Sequence, residues 1–429
     1  MKVLIVGGGG REHAIAVALK KSPKVTELFA APGNGGISEI AACFPNIKAT
    51  DISGMVNLAK ELKADYVFVA PDDPLTLGMV DALEAAGIKA FGPCAGAALI
   101  EGSKVFSKGF MKRHNIPTAA YETFTAPEKA LEYIKNNRSY PLVIKCDGLA
   151  LGKGVIIAQN YEESEEAVTS ILSGEKFGDS GKEIVIEEYL NGAEVTVLAF
   201  TDGISIAVMP ASVDHKRAFD EDKGLNTGGM GVIAPAPYYT EDLTKTCMDT
   251  IFLPTIRGLA KEGRAFKGCL YFGLMLTQAG VKVIEYNCRF GDPETQAVLP
   301  LLKTDLFEIM TAVIEERLSC IDIEWNAEKS ACIVMASGGY PEKYQTGFEI
   351  KGLENIRDAE VYHAGTKKDE QGNFVTAGGR VLGVTALGET LEEALDNAYR
   401  EVEKISFERA FYRQDIGKKA LTIALQQHI

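Results

Sequence analysis

The sequence has few of the features that mark secreted, membrane or nucleic-acid-binding proteins. Its eight cysteines form no Cys-x-x-Cys pair, it has a single tryptophan, and no run of about 18 apolar residues occurs. Basic residues are outnumbered, 45 against 59, which gives a formal net charge of −14, whereas duplex-binding surfaces usually need a basic excess. We therefore expect no membrane span, no signal peptide, no nucleic-acid partner and a reducing, cytoplasmic location.

The length and the apolar content predict several packed domains. A chain of 429 residues with 46% hydrophobic residues is too long for one ordinary core. Its pattern predicts a multidomain α/β and α+β protein. We expect an N-terminal domain over 1–103, a central domain built from 104–119 and 191–325, a mobile lid subdomain over 120–190, and a C-terminal α+β domain over 326–429.

The N-terminal domain shows short apolar strands alternating with helical patterns, which is typical of an open parallel sheet. Its first strand runs into Gly7–Gly10, where Gly8, Gly9 and Gly10 could bring backbone amides close to a phosphate at a helix start. The third glycine of a dinucleotide fingerprint is missing, since Glu12 or His13 stands there, so we exclude a dehydrogenase. Asn34 lies in a second glycine-rich segment. A tight structural turn is the alternative interpretation of the first glycine-rich segment, Gly7–Gly10.

A strand ending at Lys145 is followed by a tip of small residues, 147–154, and by a second strand over 155–158. This pattern predicts a hairpin whose tip, with Gly152, Lys153 and Gly154, folds over a triphosphate while Lys145 supplies a positive charge. No Gly-Lys-Ser/Thr ends the segment, so it is not a P-loop. A solvated Gly-Lys hairpin is the alternative.

Two glutamates flank the linker that follows the strand 184–190. Glu187 could accept a hydrogen bond from an exocyclic amine, Glu194 could accept from sugar hydroxyls, and the backbone near Tyr189 and Leu190 could meet a planar base. A charged strand edge that resists aggregation explains the glutamates equally well. These residues alone do not decide between the two interpretations.

Two further polar segments follow in the central domain. In the first, 214–217, Asp214 could bind an ammonium group while Lys216 and its neighbours bind carboxylate or phosphate. The second, 226–231, could form a backbone nest for developing charge around Gly229. A solvated charged loop and a plain glycine turn are the alternatives.

The most informative motif is the alternation Glu285-x-Asn287-x-Arg289 after the apolar run 270–283. Alternate strand residues point to one face, so a carboxylate, a carboxamide and a guanidinium meet at a strand end. Oxygen ligands suit Mg²⁺, and the guanidinium suits a phosphate that the metal bridges. The motif predicts use of ATP, although a half-exposed strand with a polar face could also produce it.

The C-terminal segment has the pattern of strands and one amphipathic helix, with no dense polar cluster. We expect strands over 331–336, 348–350, 360–364 and 379–386, and a helix over 391–405. We interpret this domain as a structural partner that covers the central sheet.

Taken together, these segments resemble the ATP-grasp fold and, within it, the glycinamide ribonucleotide synthetase family. The resemblance spans nearly the whole chain. It is specific, because related carboxylate ligases share the Lys and Glu-x-Asn pattern but not the motifs at 214–217 and 226–231. The matching segments are 7–14, 31–36, 103–104, 144–154, 187–190, Glu194, 214–217, 226–231 and 285–294.

The resemblance implies a role for each candidate residue. ATP would be held by Lys104, Lys145, Gly152, Lys153, Gly154, Glu187, Tyr189, Leu190 and Glu194. Glu285 and Asn287 would bind Mg²⁺ or Mn²⁺. Glycine would be phosphorylated to glycyl phosphate, which Arg289 steadies and the amides around Gly229 shield. The 5-phosphoribosylamine would be anchored through its phosphate by Gly8, Gly9, Gly10 and Asn34, while Asp214, Lys216 and Asp292 would orient glycine.

Two positions depart from the expected family pattern, and a third feature departs from many ATP-grasp relatives but is expected of this family. Leu225 stands where proline is expected, Val213 stands where glutamine is expected, and the strand 270–276 lacks a second metal carboxylate. The first two could loosen the loop over the acceptor. The third would make Glu285 the bridge between two metal ions.

Two other classes of function stay open on sequence alone. A different ATP-grasp ligase or carboxylase would keep the nucleotide residues and change the acceptor. A sugar-phosphate-binding protein would bind ligand without turnover. The expected partners are small molecules, together with a transient contact to a pathway enzyme.

Overall fold

The computed structural model describes residues 1–137, 139–148, 154–173 and 178–427. Within these residues, two five-stranded sheets, two four-stranded sheets and two short hairpins form. No helix among them is both long enough and apolar enough to cross a membrane.

The N-terminal part is a parallel sheet flanked by helices. In chain order its elements are β1 (Lys2–Gly7), α1 (Gly10–Lys20), β2 (Glu27–Pro32), β3 (Ala42–Cys43), α2 (Ile52–Leu62), β4 (Tyr66–Val69), α3 (Asp72–Thr76), α4 (Met79–Ala85), β5 (Lys89–Phe91) and α5 (Ala95–Gly102). The strand order is β3-β2-β1-β4-β5. β2 and β4 pair with β1 on opposite sides, so the strand order changes direction between β1 and β4. The crevice beside the carboxyl ends of these two strands is the usual ligand position in such sheets.

One helix of this part differs from the sequence expectation. The apolar pattern of 76–86 predicts one helix over this segment, but the structure ends α3 at Thr76 and begins α4 at Met79, with Gly78 between them at a φ of +87°. Only glycine adopts such a backbone conformation at little cost, so the chain turns there instead of continuing the helix.

The next part contains one helix and a small antiparallel sheet. Its elements are α6 (Lys104–Arg113), β6 (Tyr121–Phe124), α7 (Pro127–Asn136), β7 (Leu142–Cys146), β8 (Val155–Ala158), α8 (Tyr161–Leu172) and β9 (Ile184–Glu188). The strand order is β6-β9-β7-β8, so β7 and β8 form the predicted hairpin. We call residues 120–190 the lid.

The central part carries a four-stranded antiparallel sheet of order β11-β10-β16-β17. Its elements are β10 (Ala193–Asp202), β11 (Ile206–Val208), β12 (Val213–Asp214), β13 (Arg217–Phe219), β14 (Lys223–Asn226), β15 (Gly231–Ala234), α9 (Glu241–Cys247), α10 (Leu253–Lys261), β16 (Lys267–Thr277), β17 (Gly280–Asn287), α11 (Glu294–Val298) and α12 (Leu306–Ile314). A π-helical turn, Met248–Phe252, joins α9 to α10.

The C-terminal part completes a sheet that begins in the central part. Its elements are β18 (Lys329–Ala336), β19 (Glu360–His363), β20 (Thr366–Lys368), β21 (Phe374–Thr376), β22 (Arg380–Gly388), α13 (Leu391–Val402) and α14 (Lys418–Gln427). The order β12-β15-β18-β22-β19 joins two central strands to three C-terminal ones. The expected strand at 348–350 is only a single bridge between Glu349 and Val375.

The hydrophobic cores show which parts of the chain pack together. One core consists only of lid residues, including Ile144, Ile171 and Ile186. The two larger cores mix side chains from the N-terminal, central and C-terminal parts. The lid therefore packs around a core of its own, separate from the two larger cores.

Candidate active site

Several predicted nucleotide residues lie where the lid sheet faces the central sheet, and we call this region the cleft. The amine of Lys145, on β7, lies 2.9 Å from a carboxylate oxygen of Glu187 and 3.5 Å from the backbone oxygen of Ile284 on β17. Lys104 begins α6, and its amine donates to the backbone oxygens of Gly148 at 2.8 Å and Asp147 at 3.3 Å. Lys145 therefore reaches β17 directly, while Lys104 is bonded to the lid and acts on Glu285 of β17 through its charge.

The motif at the end of β17 has the predicted geometry. Glu285 pairs with Gly273 and Asn287 with Tyr271, so both side chains leave the same face of the sheet. Burial raises the pKa of Glu285, but four positive charges lower it by more than burial raises it: Lys216, Lys145, Lys104 and Arg289. The carboxylate is therefore ionised at neutral pH. A Cβ on Gly273 would lie only 3.1 Å from the Glu285 side chain, which explains the glycine opposite.

Arg289 is fixed by acidic residues of the N-terminal part. Its guanidinium lies 3.0 Å from Glu101 and 3.8 Å from Asp72, and it approaches the side-chain oxygen of Asn287 at 3.4 Å. The other oxygen of Glu101 accepts from the backbone amide of Cys288 at 2.7 Å. Burial opposes the charge of Arg289, yet Glu101 and Asp72 raise its pKa above the ordinary value. The guanidinium is thus a fixed positive charge beside Glu285 and Asn287.

The side chain of Glu187 does not stand free in the cleft as the sequence suggested. It is 4% exposed, and its two oxygens lie 2.9 Å from Lys145 and 3.0 Å from Lys108. Burial raises the pKa of Glu187, while Lys145 and Lys108 lower it to a net value below normal. Glu187 is therefore an ionised carboxylate held by two lysines, and Lys108 was not among the predicted residues.

The linker after β9 begins two residues earlier than the sequence predicted, because β9 ends at Glu188 and not at Leu190. Tyr189 and Leu190 lie outside regular structure between β9 and β10, and the Tyr189 side chain is exposed. Gly192 packs directly on the backbone of β16, since a Cβ there would come 2.1 Å from the Leu276 oxygen. Gly154 accepts a hydrogen bond from the amide of Cys146 at 2.9 Å. The predicted residues Gly152 and Lys153 lie outside the described residues.

Glu194 and Lys216 were predicted to bind different ligand groups, but here they form an ion pair with each other. The Lys216 amine also lies 3.7 Å from Glu285. Burial lowers the pKa of Lys216, while Glu194 and the other anionic neighbours raise it to a net value above normal. Lys216 therefore links the predicted ribose side of the cleft to the predicted metal side.

The glycine-rich loop lies at the crevice end of β1, but protein carboxylates already reach it. The amide of Gly9 donates to Glu12 at 2.6 Å, and a Cβ on Gly9 would lie 3.3 Å from an oxygen of Asp292. Gly8 lies against the second glycine-rich segment, where a Cβ would come 2.3 Å from the Gly33 oxygen. The loop is thus an anion-attracting helix start whose nearest anions are side chains of the protein.

Asn34 is used to hold loops together. Its side-chain nitrogen donates to the backbone oxygens of Gly8 at 2.9 Å and His363 at 2.7 Å, and its side-chain oxygen accepts from the amide of Ile37 at 2.8 Å. In this arrangement the amide group has no hydrogen left for the predicted phosphate contact.

The residues around Asp214 form a buried acidic group. Asp214 and Glu294 repel each other, and burial together with this repulsion raises the pKa of Asp214; burial also raises the pKa of Glu294. Asp292, in contrast, lies 3.3 Å from Arg380 and accepts from Gln296 at 2.8 Å. Burial raises the pKa of Asp292, but Arg380 and Arg11 lower it to a net value below normal. This side of the cleft offers acidic groups suited to an ammonium ion.

The sequence predicted that the amides of the segment 226–231 are open to a ligand, but in the structure they are bonded within the protein. Gly228 donates to the Tyr340 hydroxyl at 3.1 Å, Gly229 donates to Thr227 at 3.0 Å, and Met230 donates to the His215 backbone oxygen at 2.8 Å. These bonds satisfy the amides within the protein, so the predicted shielding of an intermediate would require them to rearrange.

Sequence analysis also missed a residue from the C-terminal part. Arg380, the first residue of β22, donates to the backbone oxygens of Asp292 at 2.7 Å and Gly229 at 3.3 Å. The C-terminal part therefore contributes a charged side chain to the cleft and is more than a cover. A lone arginine at a strand start carries no local signal, and only the pairing of β22 with β18 brings it here.

Three consecutive segments of the chain match one family. Residues 1–101 match the phosphoribosylglycinamide synthetase N domain, residues 102–295 match its ATP-grasp (A) domain, and residues 330–419 match its C domain. A phosphoribosylamine–glycine ligase of Caldanaerobacter subterraneus is 47% identical over 97% of this chain and 99% of its own. The Escherichia coli K12 enzyme of that name is 48% identical over 98% and 99%.

Solved structures confirm the predicted ATP-grasp fold. The phosphoribosylamine–glycine ligase of Thermotoga maritima superposes with a TM-score of 0.84 at 34% identity, covering 97% of this chain and all of that one. The biotin carboxylase domain of a Hydrogenobacter thermophilus 2-oxoglutarate carboxylase shares the fold with a TM-score of 0.74 at 16% identity, over 96% and 91%. With three family domains in order and relatives near half identity over nearly its full length, the chain belongs to the phosphoribosylglycinamide synthetase family.

Proposed function

We propose that the cleft between lid and central sheet activates the carboxylate of glycine as glycyl phosphate and then passes the glycyl group to 5-phosphoribosylamine. The overall activity follows from family membership: the chain is an ADP-forming ligase that joins glycine to 5-phosphoribosylamine. What we add is the route and the residues. The observation that carries them is the Glu285 carboxylate at the end of β17, which lies 3.7 Å from the Lys216 amine on the same face as Asn287, with Arg289 beside Asn287.

The groups at the end of β17 suit a divalent cation. Glu285 is an ionised carboxylate and Asn287 offers an amide oxygen on the same face, which are ligands that a hard cation prefers. No group of three or more acidic, histidine or cysteine side chains among the described residues could hold a metal alone. Two protein ligands suffice for Mg²⁺ or Mn²⁺ when phosphate oxygens and water complete the shell. A cation there would neutralise charge on the transferred phosphoryl group.

We assign the nucleotide to the lid side of the cleft. Lys104 and Lys145 face its phosphates from α6 and β7. The linker at Tyr189 and Leu190 offers backbone groups to the adenine beside Glu187, and Glu194 serves the ribose. With the phosphates held in line with the acceptor, positioning and electrostatics provide most of the catalysis.

Glycine occupies the other side of Glu285. Its carboxylate oxygen attacks the γ-phosphorus, ADP leaves, and the fixed guanidinium of Arg289 stabilises the acyl phosphate. Asp214 and Asp292 orient the ammonium group of glycine, and Lys216 holds the carboxylate end. The segment around Gly229 shields the intermediate after its amides rearrange.

The amine of 5-phosphoribosylamine then attacks the acyl carbon, forming the amide and releasing inorganic phosphate. Its phosphate is anchored by backbone amides of Gly8, Gly9 and Gly10 at the crevice end of β1, where Asn34 keeps the loop in shape. Because this amine is unstable in water, we also propose a transient contact with the enzyme that supplies it. Eight free cysteines suit a cytoplasmic location.

The test is a coupled assay of ADP release with freshly prepared phosphoribosylamine. We expect release only when ATP, the divalent cation, glycine and the amine are all present, and a far lower rate when alanine replaces glycine. Equal rates with several amino acids, or release without the amine, would reject the proposed acceptor and assign the cleft to another ATP-grasp ligase.

A further inference from the structure

One buried lysine in the nucleotide half of the cleft has no part in the route above. Lys108 lies on α6, one turn after Lys104, and it is only 2% exposed. Its amine lies 3.0 Å from Glu187, donates to the Thr118 hydroxyl at 2.7 Å, and lies 5.7 Å from the centre of the Tyr121 ring. A fully buried lysine is rare unless it is paired, so its partner indicates its purpose.

Glu187 pairs with two lysines, of which only one also contacts the central sheet. Lys108 is enclosed by α6, β6 and β9, whereas the Lys145 amine also reaches the backbone of β17 beside Glu285. The two ammonium groups of Lys108 and Lys145 and the carboxylate of Glu187 have a net charge of +1. If Lys108 were absent, Glu187 would cancel the charge of Lys145, and an incoming phosphate would meet a neutral pair.

We propose that Lys108 is the standing counter-ion of Glu187 and thereby leaves the charge of Lys145 free to act on the nucleotide phosphates. Lys108 is thus a positioning residue that acts through Glu187 and Lys145 without touching the nucleotide. This inference rests on the proposed nucleotide site and adds a residue to it. It does not depend on whether glycine and 5-phosphoribosylamine are the other substrates.

The titration of Lys108 supports this role. Burial lowers its pKa to about 8, and the neighbouring charges Glu187, Lys145 and Glu188 act on it as well, the two glutamates raising it and Lys145 lowering it. A nucleotide that draws the charge of Lys145 toward its phosphates favours the protonated form of Lys108. Binding above about pH 8 therefore requires uptake of a proton and becomes weaker as the pH rises.

The experiment measures the affinity for Mg·ADP by calorimetry in a double-mutant cycle of Lys108→Met and Glu187→Gln. We expect Lys108→Met alone to weaken binding by at least ~10-fold, equivalent to ~1.4 kcal/mol. In the Glu187→Gln background, Lys108→Met should weaken the affinity for Mg·ADP by less than ~2-fold, because no carboxylate remains to be neutralised. Equal weakening in both backgrounds, or no weakening in either, would overturn the proposal.

Two further variants guard against a purely structural effect. Lys112→Met, an exposed lysine on the same helix, should bind Mg·ADP as the unmodified protein does. Lys108→Arg keeps the charge but does not titrate in this range, so it should bind normally at pH 7.5 and lose the decline toward pH 9. If Lys108→Met fails to fold, identical pH profiles for Lys108→Arg and the unmodified protein would still refute the proposal.

The outcome is separable from that of the proposed ligase reaction. Binding of Mg·ADP needs neither glycine nor phosphoribosylamine, so a different acceptor would leave the cycle intact. Failure of the unmodified protein to bind Mg·ADP at all would instead reject the nucleotide site itself.

Discussion

Arg289 and Glu285 show how single side chains acquire a role from their surroundings. Both lie on or directly after β17, but their charges are set from other parts of the chain: Glu101 and Asp72 hold Arg289, and lysines from three segments keep Glu285 ionised. The positive and negative groups therefore stand ready before any ligand arrives. Such preorganisation is what makes electrostatic stabilisation effective.

Removing either charge should impair turnover without unfolding the protein. We expect Glu285→Gln and Arg289→Met each to lower kcat by ~10²-fold or more, since each removes a charge aimed at the transferred phosphoryl group. The measurement is the rate of ADP release at saturating substrates, with the thermal midpoint recorded beside it. Lys282→Met, on the same strand and paired with Glu188, is the matched control and should stay near normal. Turnover within a few-fold of normal in both site variants would contradict their roles.

At the scale of elements, the two glycine-rich segments act as one unit. Gly8 meets the backbone of Gly33, and Asn34 bonds the backbone of Gly8 and of His363. The helix start, the second strand end and β19 are therefore locked together at the crevice. Any side chain between them must push the segments apart.

A methyl group at Gly8 tests this arrangement. A Cβ there would lie 2.3 Å from the Gly33 oxygen, so Gly8→Ala should displace the loop and raise the KM for phosphoribosylamine by ~10-fold or more while the KM for ATP changes little. Gly96→Ala is the control, because its Cβ would meet its nearest atom at an ordinary 3.4 Å. Parallel increases in both KM values would indicate a general loss of structure instead.

Elements with local signals were predictable, and long-range pairings were not. The alternation at 285–289 follows from the period of a strand, and the β7–β8 hairpin follows from its small residues. Lys108 looks like any lysine of an amphipathic helix until β9 places Glu187 against it. Arg380 reaches the cleft only because β22 joins a sheet with strands about 150 residues earlier.

At the scale of the whole molecule, buried histidines join distant parts of the chain. His13 of α1 accepts from the backbone amide of His363 at 2.8 Å, and His215 accepts from the amide of Gly417 at 3.0 Å. Burial lowers the pKa of His13 to about 3, and that of His215 and His363 to about 4 each. All three are neutral in the folded protein at neutral pH.

This predicts a loss of stability in mild acid. Below about pH 6.5 the unfolded chain binds protons at these histidines while the folded chain does not, so each one destabilises the fold by ~1.4 kcal/mol per pH unit. The midpoint of urea unfolding should therefore fall between pH 6.5 and pH 5, before most carboxylates titrate. His363→Gln should show a shallower fall. A midpoint that is constant over this range would contradict the neutral buried state.

The central claim is that this cleft makes an acyl phosphate of glycine before it makes an amide. The most direct test supplies glycine labelled with ¹⁸O in both carboxylate oxygens, together with ATP and phosphoribosylamine, and analyses the released phosphate by mass spectrometry. The account predicts that each phosphate carries one labelled oxygen, because the attacking oxygen stays on phosphorus when the amine displaces it. Phosphate without label, formed alongside the amide product, would contradict the account.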